Sequence, residues 1–216
     1  MTFSDKLKTS ISTYHLLSHP FYQDWNKGNL SKETLKEYAM QYYKHVKAFP
    51  RYISATHSQC DDIEKRKILL ENLADEEGFQ HGEPHPELWI RFAEGLGVSR
   101  NEIENNPVRK SIEEVIDSFL SAGRSSYAEG LAALYAYEYQ VPEIAETKIK
   151  GLKEHYDVSD KRSLSFFTVH QEADVHHRRE CEKLIDTFSE EEQMPALKAA
   201  EKSAKALWDF LSDMHS

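Results

Sequence analysis

The stretch His170-Gln171-Glu172-Ala173-Asp174-Val175-His176-His177 concentrates the most reactive side-chain types of this 216-residue chain. On a helix, His170, Asp174 and His177 stand at i, i+4 and i+7 and project from one face over two turns. Imidazole and carboxylate are ligands suited to iron, manganese and zinc, and a helix fixes their mutual spacing. Glu172, His176 and Glu180 fall off that line and are expected to face solvent or to pair on the surface. Two plainer readings stay open. The stretch could be a solvated helix face that carries a few of the chain's 11 histidines, or a zinc triad with water in the fourth position.

Other carboxylates extend the set. Glu138 closes the apolar run Leu131-Ala132-Ala133-Leu134-Tyr135-Ala136-Tyr137. An ionised carboxylate on a buried face is costly unless it is paired or coordinated, although at a helix end it can simply be hydrated. Asp75-Glu76-Glu77 ends a further apolar helix and is followed by His81 and His85; alone, it reads as an acidic surface patch. Together, Glu76, His85, Glu138, His170, Asp174 and His177 would supply three carboxylates and three imidazoles. That set suits two metal ions with three ligands each and positions left for oxygen or water. Ferritin-like bundles hold such pairs with repeated Glu-x-x-His motifs; here the one acid-x-x-His is Asp174 to His177, so a ferritin-like fold is not expected.

Positioning these residues requires helices, and helical periodicity dominates without any convincing alternating strand pattern. Residues 4–17 carry Leu7, Ile11, Tyr14 and Leu17 on one face, and Pro20 opens a short turn of helix. A long segment from Ser31 to about Cys60 holds Leu35, Tyr38, Tyr42, Val46 and Phe49. Pro50 inside it removes a backbone donor at a cost of about 3 kcal/mol, which predicts a kink or a break. The next helix, about 61–77, turns Ile63, Leu69, Leu70 and Leu73 toward a core. Gly-Phe-Gln-His-Gly-Glu-Pro-His-Pro interrupts it, and helix resumes near Pro86. Ser99 with Glu102, Ser126 with Glu129 and Ser189 with Glu192 read as capping boxes. Asn106-Pro107 and Pro142 mark further starts, and a long helix over about 160–188 carries the histidines. The sum is eight to ten helices in one all-α domain spanning residues 1–216.

Composition narrows the function. Lys and Arg number 27 against 37 Asp and Glu, a net charge of −10. With no basic stripe to offset it, nucleic-acid binding is disfavoured. The longest uncharged apolar stretch, Gly130 to Tyr137, falls far short of the roughly 20 residues of a membrane span. The N-terminal MTFSDKLKTS lacks the apolar core of a signal peptide. Cys60 and Cys181 cannot build a disulfide framework and read as ordinary thiols. A cytoplasmic protein without membrane or nucleic-acid partners is expected.

Segments across almost the whole chain resemble one known family. They are FYQDWNKGNLSKETLKEYAMQYYKHVKAFPRYISATHSQCDD, ENLADEE, HPELW, AALYAYEYQVPEIAETKIKGL and FFTVHQEADVHHRRE. They are similar to the CADD-like proteins (chlamydial protein associating with death domains), within the heme-oxygenase-like group that includes PQQ-biosynthesis protein C and the TenA-type thiaminases. The resemblance implies a heme-oxygenase-like helical bundle with a non-heme dinuclear site, iron–iron or iron–manganese. The implied ligands are Glu76, His85, Glu138, His170, Asp174 and His177, with His81 a rival to His85 because the intervening stretch is longer here. The implied activity makes para-aminobenzoate for folate, using O₂ and an external reductant, from one of the protein's own tyrosines. Tyr22 and Tyr137 match the tyrosines concerned, and Lys148 matches a lysine suggested as nitrogen source. Phe166 stands where the family has a further tyrosine, so a radical relay at that position is not expected. Alternatives are oxidation of a free small molecule by the same centre, or a module that binds a host death-domain protein. The family also implies a homodimer.

Overall fold

The computed structural model describes residues 1–79 and 82–215, without the side chains of residues 172–176. Every regular element among them is helical: α1 Phe3–Ile11, α2 Pro20–Lys27, α3 Lys32–Ser58, α4 Ile63–Glu76, α5 His85–Gly95, α6 Arg100–Asn105, α7 Lys110–Ser125, α8 Tyr127–Glu138, α9 Val141–His155, α10 Lys161–Ile185 and α11 Glu190–His215. Two short 3₁₀ turns, Ser12–Tyr14 and Leu16–Ser18, join α1 to α2. None of the helices is long and apolar enough to cross a membrane.

Helix α8 is the axis of the bundle. It is apolar on every side, as a helix enclosed by others must be, and from Ala128 on it is buried apart from Glu129. It packs against α11, α7, α3 and α10. Small residues allow these close approaches. At Gly130 a Cβ would overlap the Thr56 side chain and lie 2.9 Å from the Gly123 Cα. Glu138, the last residue of this buried helix, is thereby carried into the interior.

The serines at 99, 126 and 189 cap helices, each accepting from the amide three residues on. The reciprocal box forms at Ser99 and Ser189, whereas the Ser126 amide donates to the Ala122 carbonyl instead. Several expectations are corrected. Eleven α-helices are present among the described residues, more than the eight to ten predicted, and α1 stops at Ile11 where the chain tightens into 3₁₀ turns. Helix α3 runs unbroken through Pro50. The lost bond to the Val46 carbonyl is outweighed by packing, because Val46, Phe49, Pro50 and Ile53 are all buried. Ile63 and Leu70 are exposed: α4 rests on α3 and α10 and buries the narrow stripe Leu69, Asn72 and Glu76. Asn106-Pro107 does not start α7. Gln41 accepts from the Arg109 amide (3.0 Å) and donates to the Pro107 carbonyl (2.8 Å), holding that segment extended until Lys110.

The Gly130 contact is testable. Alanine gains up to ~1 kcal/mol over glycine in helix propensity, whereas overpacking costs ~1–3 kcal/mol. Gly130→Ala is therefore expected to lower Tm by roughly 2–6 °C in calorimetry; an unchanged or higher Tm would show that α3 and α8 can separate freely.

Candidate metal centre

Three helices converge on Glu76. The carboxylate ends α4, His85 opens α5 and His170 lies in mid-α10; all three are buried. One ligand atom from each lies within 4.8 Å of the others. The short return from α4 to α5 is turned by Gly78 at φ 68°, where a Cβ would stand 2.5 Å from the Glu83 and Pro84 backbone.

The arrangement suits a cation. His85 Nδ1 lies 2.9 Å from Glu76 Oε2 and pairs with that carboxylate. His170 Nδ1–H donates to the Phe166 carbonyl at 2.6 Å. This places the proton on Nδ1 and leaves the Nε2 lone pair toward the site, 4.0 Å from Glu76 Oε1. A ligand imidazole is commonly oriented this way, through its second nitrogen. His85 Nδ1, His170 Nε2 and a Glu76 carboxylate oxygen thus face one point in the buried interior.

Electrostatics agree. Burial pushes the Glu76 carboxyl up, but His85, His170 and His177 together outweigh it and hold it below its ordinary range. Burial alone would lower His85; the Glu76 carboxylate overcomes this and raises it. His170 is held at about 4 by burial, with His85 adding to the effect. A pocket that draws a proton onto His85 would draw a metal cation for the same reason.

The remaining expected ligands lie differently. Glu138 is buried and feels both His177 and Glu76; its Oε1 accepts from Asn72 Nδ2 at 2.8 Å and its Oε2 from the Cys181 thiol at 3.5 Å. Burial raises its carboxyl, more than His177 and Asn72 lower it. His177 Nε2 lies 3.2 Å from Asp75 Oδ2. The side chain of Asp174, like His81, is outside the described residues. Off the expected ligand line, Glu180 pairs with Lys183 on the surface.

Beside this group lies an aromatic wall. Lys148 is 3% exposed and its Nζ stands 5.0–5.8 Å from the ring centroids of Tyr38, Tyr42, Tyr22, Trp89, Phe167 and Trp25. Ring faces attract an ammonium, but no carboxylate pairs with it among the described residues, and burial brings its pKa down to about 7. Nζ donates to the Tyr38 hydroxyl at 2.7 Å, and the Tyr22 hydroxyl is 3.3 Å beyond. Tyr38 stacks on Tyr42 with centroids 5.2 Å apart, and the Tyr42 hydroxyl donates to that of Tyr137 at 3.1 Å. Tyr137 lines two small cavities next to His170, one of which also reaches Glu76. Sequence reasoning placed Tyr38 and Tyr42 among core positions and missed them as part of the site. Their signal was the i, i+4, i+7 spacing of Tyr38, Tyr42 and His45. Asn72 and Cys181, at the Glu138 carboxylate, were missed as well.

The sequence model of the family described as "Iron-containing redox enzyme" matches residues 36–208. The chain belongs to this family. A 4-aminobenzoate synthase of Chlamydia muridarum is 44% identical over 213 residues, covering 98% of this chain and 89% of that protein. A second, from Nitrosomonas europaea, is 39% identical and covers 99% of this chain and 91% of its own length. Among solved structures, a TenA homologue from Pseudomonas syringae superposes with a TM-score of 0.83 at 17% identity, covering 99% and 92% of the two chains. A CADD-like protein from Nostoc punctiforme gives 0.79 at 18%, covering 98% and 95%. The fold is thus heme-oxygenase-like, the sequence is CADD-like, and the chain is an oxidoreductase.

If Glu76, His85 and His170 hold metal, His170→Ala should cut the transition-metal content of protein from iron- and manganese-supplemented cells by elemental analysis. Equal metal in wild type and variant would remove His170 from the centre.

Proposed function

We propose that this chain makes 4-aminobenzoate by an O₂-dependent oxidation in which the aromatic ring comes from one of its own tyrosines. The observation that carries this reading is the Lys148 amine buried among tyrosines, beside a cavity that, as the described residues bound it, is too small for a free aromatic substrate. The cavity bounded by Tyr22, Tyr42, Tyr137, Lys148, Phe166 and His170 measures ≈ 20 Å³, whereas an engineered cavity that takes up benzene measures about 150 Å³. The rings available for oxidation are those of the wall itself. The named activity of the Chlamydia and Nitrosomonas relatives supports the same product.

In this reading Glu76, His85 and His170 hold one metal ion, and Glu138, Asp174 and His177 supply the ligands of a second. Bound iron, alone or with manganese, would supply the O₂-dependent oxidising power, renewed by an external reductant. The protein's own part is to keep the tyrosines protonated and dry until they react. Burial raises Tyr22, Tyr38 and Tyr42 above the ordinary phenol range, so each must lose its proton as it loses an electron. Above pH 7 Lys148 is largely neutral. While neutral it keeps one lone pair, which can either take the Tyr38 proton or be offered as the nitrogen that becomes the arylamine. The Tyr22 hydroxyl reaches this amine through Tyr38, its ring centroid 5.3 Å from Nζ, while Tyr137 lines the cavity that also reaches Glu76.

Tyr22→Phe should keep its metal and lose most aminobenzoate yield in a single-turnover assay with O₂ and reductant. A normal yield would eliminate Tyr22. Mass spectrometry of the spent wild-type protein should show loss from a tyrosine side chain; sustained turnover on an added aromatic compound would overturn self-consumption.

Lys148→Met should abolish product, and wild-type yield should rise as pH passes through about 7. The stability sign follows from the same residue. Folding depresses this pKa from its ordinary 10.5 to about 7, so the unfolded chain binds more protons between those values and stability rises with pH across that window. Below it, the buried ammonium carries its full penalty. Lys148→Met should therefore raise Tm most below pH 7, and progressively less toward pH 10; a uniform gain would contradict the depressed pKa.

A further inference from the structure

A second small cavity, ≈ 10 Å³, is lined by His45, Val46, Phe49, Glu76, Tyr137, Phe166 and His170. That volume is about what one water molecule requires. His45 is 0% exposed. Its Nδ1 faces the Tyr52 hydroxyl at 3.3 Å, and Tyr52 is not part of the cavity lining. Its Nε2, on the opposite edge of the ring, has no hydrogen-bond partner among the described residues.

The tautomer follows from the surroundings. Phe49 and Phe119 pack on Tyr52, so its phenolic proton is best satisfied by donation to His45 Nδ1. The ring proton is then on Nε2 and makes that edge a donor. An unmatched donor in a dry interior is costly, whereas one beside a cavity of the right size is a binding site for a small acceptor. Edge-to-face contacts with Tyr42 and Tyr137, centroids 5.2 and 5.1 Å away, hold the imidazole in place.

We propose that His45 Nε2–H binds a small oxygen-atom acceptor in this cavity, between Tyr137 and the Glu76–His170 side of the metal centre. Water fills it in the resting protein, and a diatomic molecule of the size of O₂ takes its place. The bond fixes the ligand on the side where the aromatic wall meets the carboxylate. The apolar lining from Val46, Phe49 and Phe166 admits a weakly polar diatomic at little desolvation cost. The role of the diatomic rests on the oxidase reading above; the hydrogen-bonding site itself does not.

The test therefore has two arms. A high-resolution crystal structure of the metal-free protein should show one ordered water within hydrogen-bond distance of His45 Nε2, present again beside the amide of His45→Gln and lost in His45→Leu. No solvent peak at Nε2 overturns the proposal whatever the metal reading. In the second arm nitric oxide is titrated into the ferrous-loaded proteins, with iron content measured in each. Affinity should fall about five- to tenfold in His45→Leu, the worth of one ordinary hydrogen bond, and recover in His45→Gln. Unchanged affinity in His45→Leu, or equal weakening in both variants, overturns the proposal by making His45 a packing residue. Wild-type protein that takes up no iron would instead count against the metal reading and leave the first arm to decide.

Discussion

A carboxylate held out of water needs positive charge or hydrogen-bond donors beside it, or it takes up a proton, and at Glu76 the need is met by positive charge. The residue ends α4 inside the protein, where hydration is lost, and three histidines from two other helices replace the water. This need accounts for the closeness of His85 and His170 to the Glu76 carboxylate. It also makes the site one that suits a metal cation. His170 Nε2, its lone pair fixed by the Phe166 carbonyl, and His85 Nδ1, 2.9 Å from Glu76, stand where such a cation would find them.

Lys148 meets the opposite problem with the opposite solution. No acid accompanies it into the interior, so burial drives the proton off instead of recruiting a counter-charge. The protein thus keeps one buried ionisable group charged and another, across the tyrosine wall, largely uncharged above neutral pH. An electrophilic ring and a nucleophilic amine can meet only where both conditions hold, because a protonated lysine has no lone pair to offer. The wall of Tyr22, Tyr38, Tyr42 and Tyr137 links the two halves through hydroxyl contacts of 3.1–3.3 Å and one stacked pair.

Helix content and the histidine-bearing face were legible in the sequence because period and side-chain type are local properties. The serine caps were legible for the same reason. Ile63 and Leu70 misled because packing decided them: α4 has too few neighbours to cover all its leucines and isoleucines. Of the kink or break expected at Pro50, the break is absent because buried neighbours carry α3 through its proline. Asn106-Pro107 failed as a helix start because a side chain from α3, Gln41, takes the local hydrogen bonds. Lys148 was singled out by resemblance alone; nothing in its own segment shows that it will be enclosed by six rings from other elements. Likewise, the pattern Tyr38–Tyr42–His45 looks like an ordinary core stripe until Glu76 and His170 are brought opposite it.

The unbroken course of α3 has a consequence for that stripe. His45 and Tyr52 are seven residues apart on opposite sides of Pro50, and their side chains meet only if helical register survives the proline. A break there would release the Tyr52 hydroxyl from His45 Nδ1 and let the imidazole turn. Because Pro50 is itself buried, the register is enforced by packing around the very residue that should disrupt it. The orientation of a histidine beside the metal centre thereby depends on the core two turns away, which links the stability of the bundle to the geometry of its chemistry.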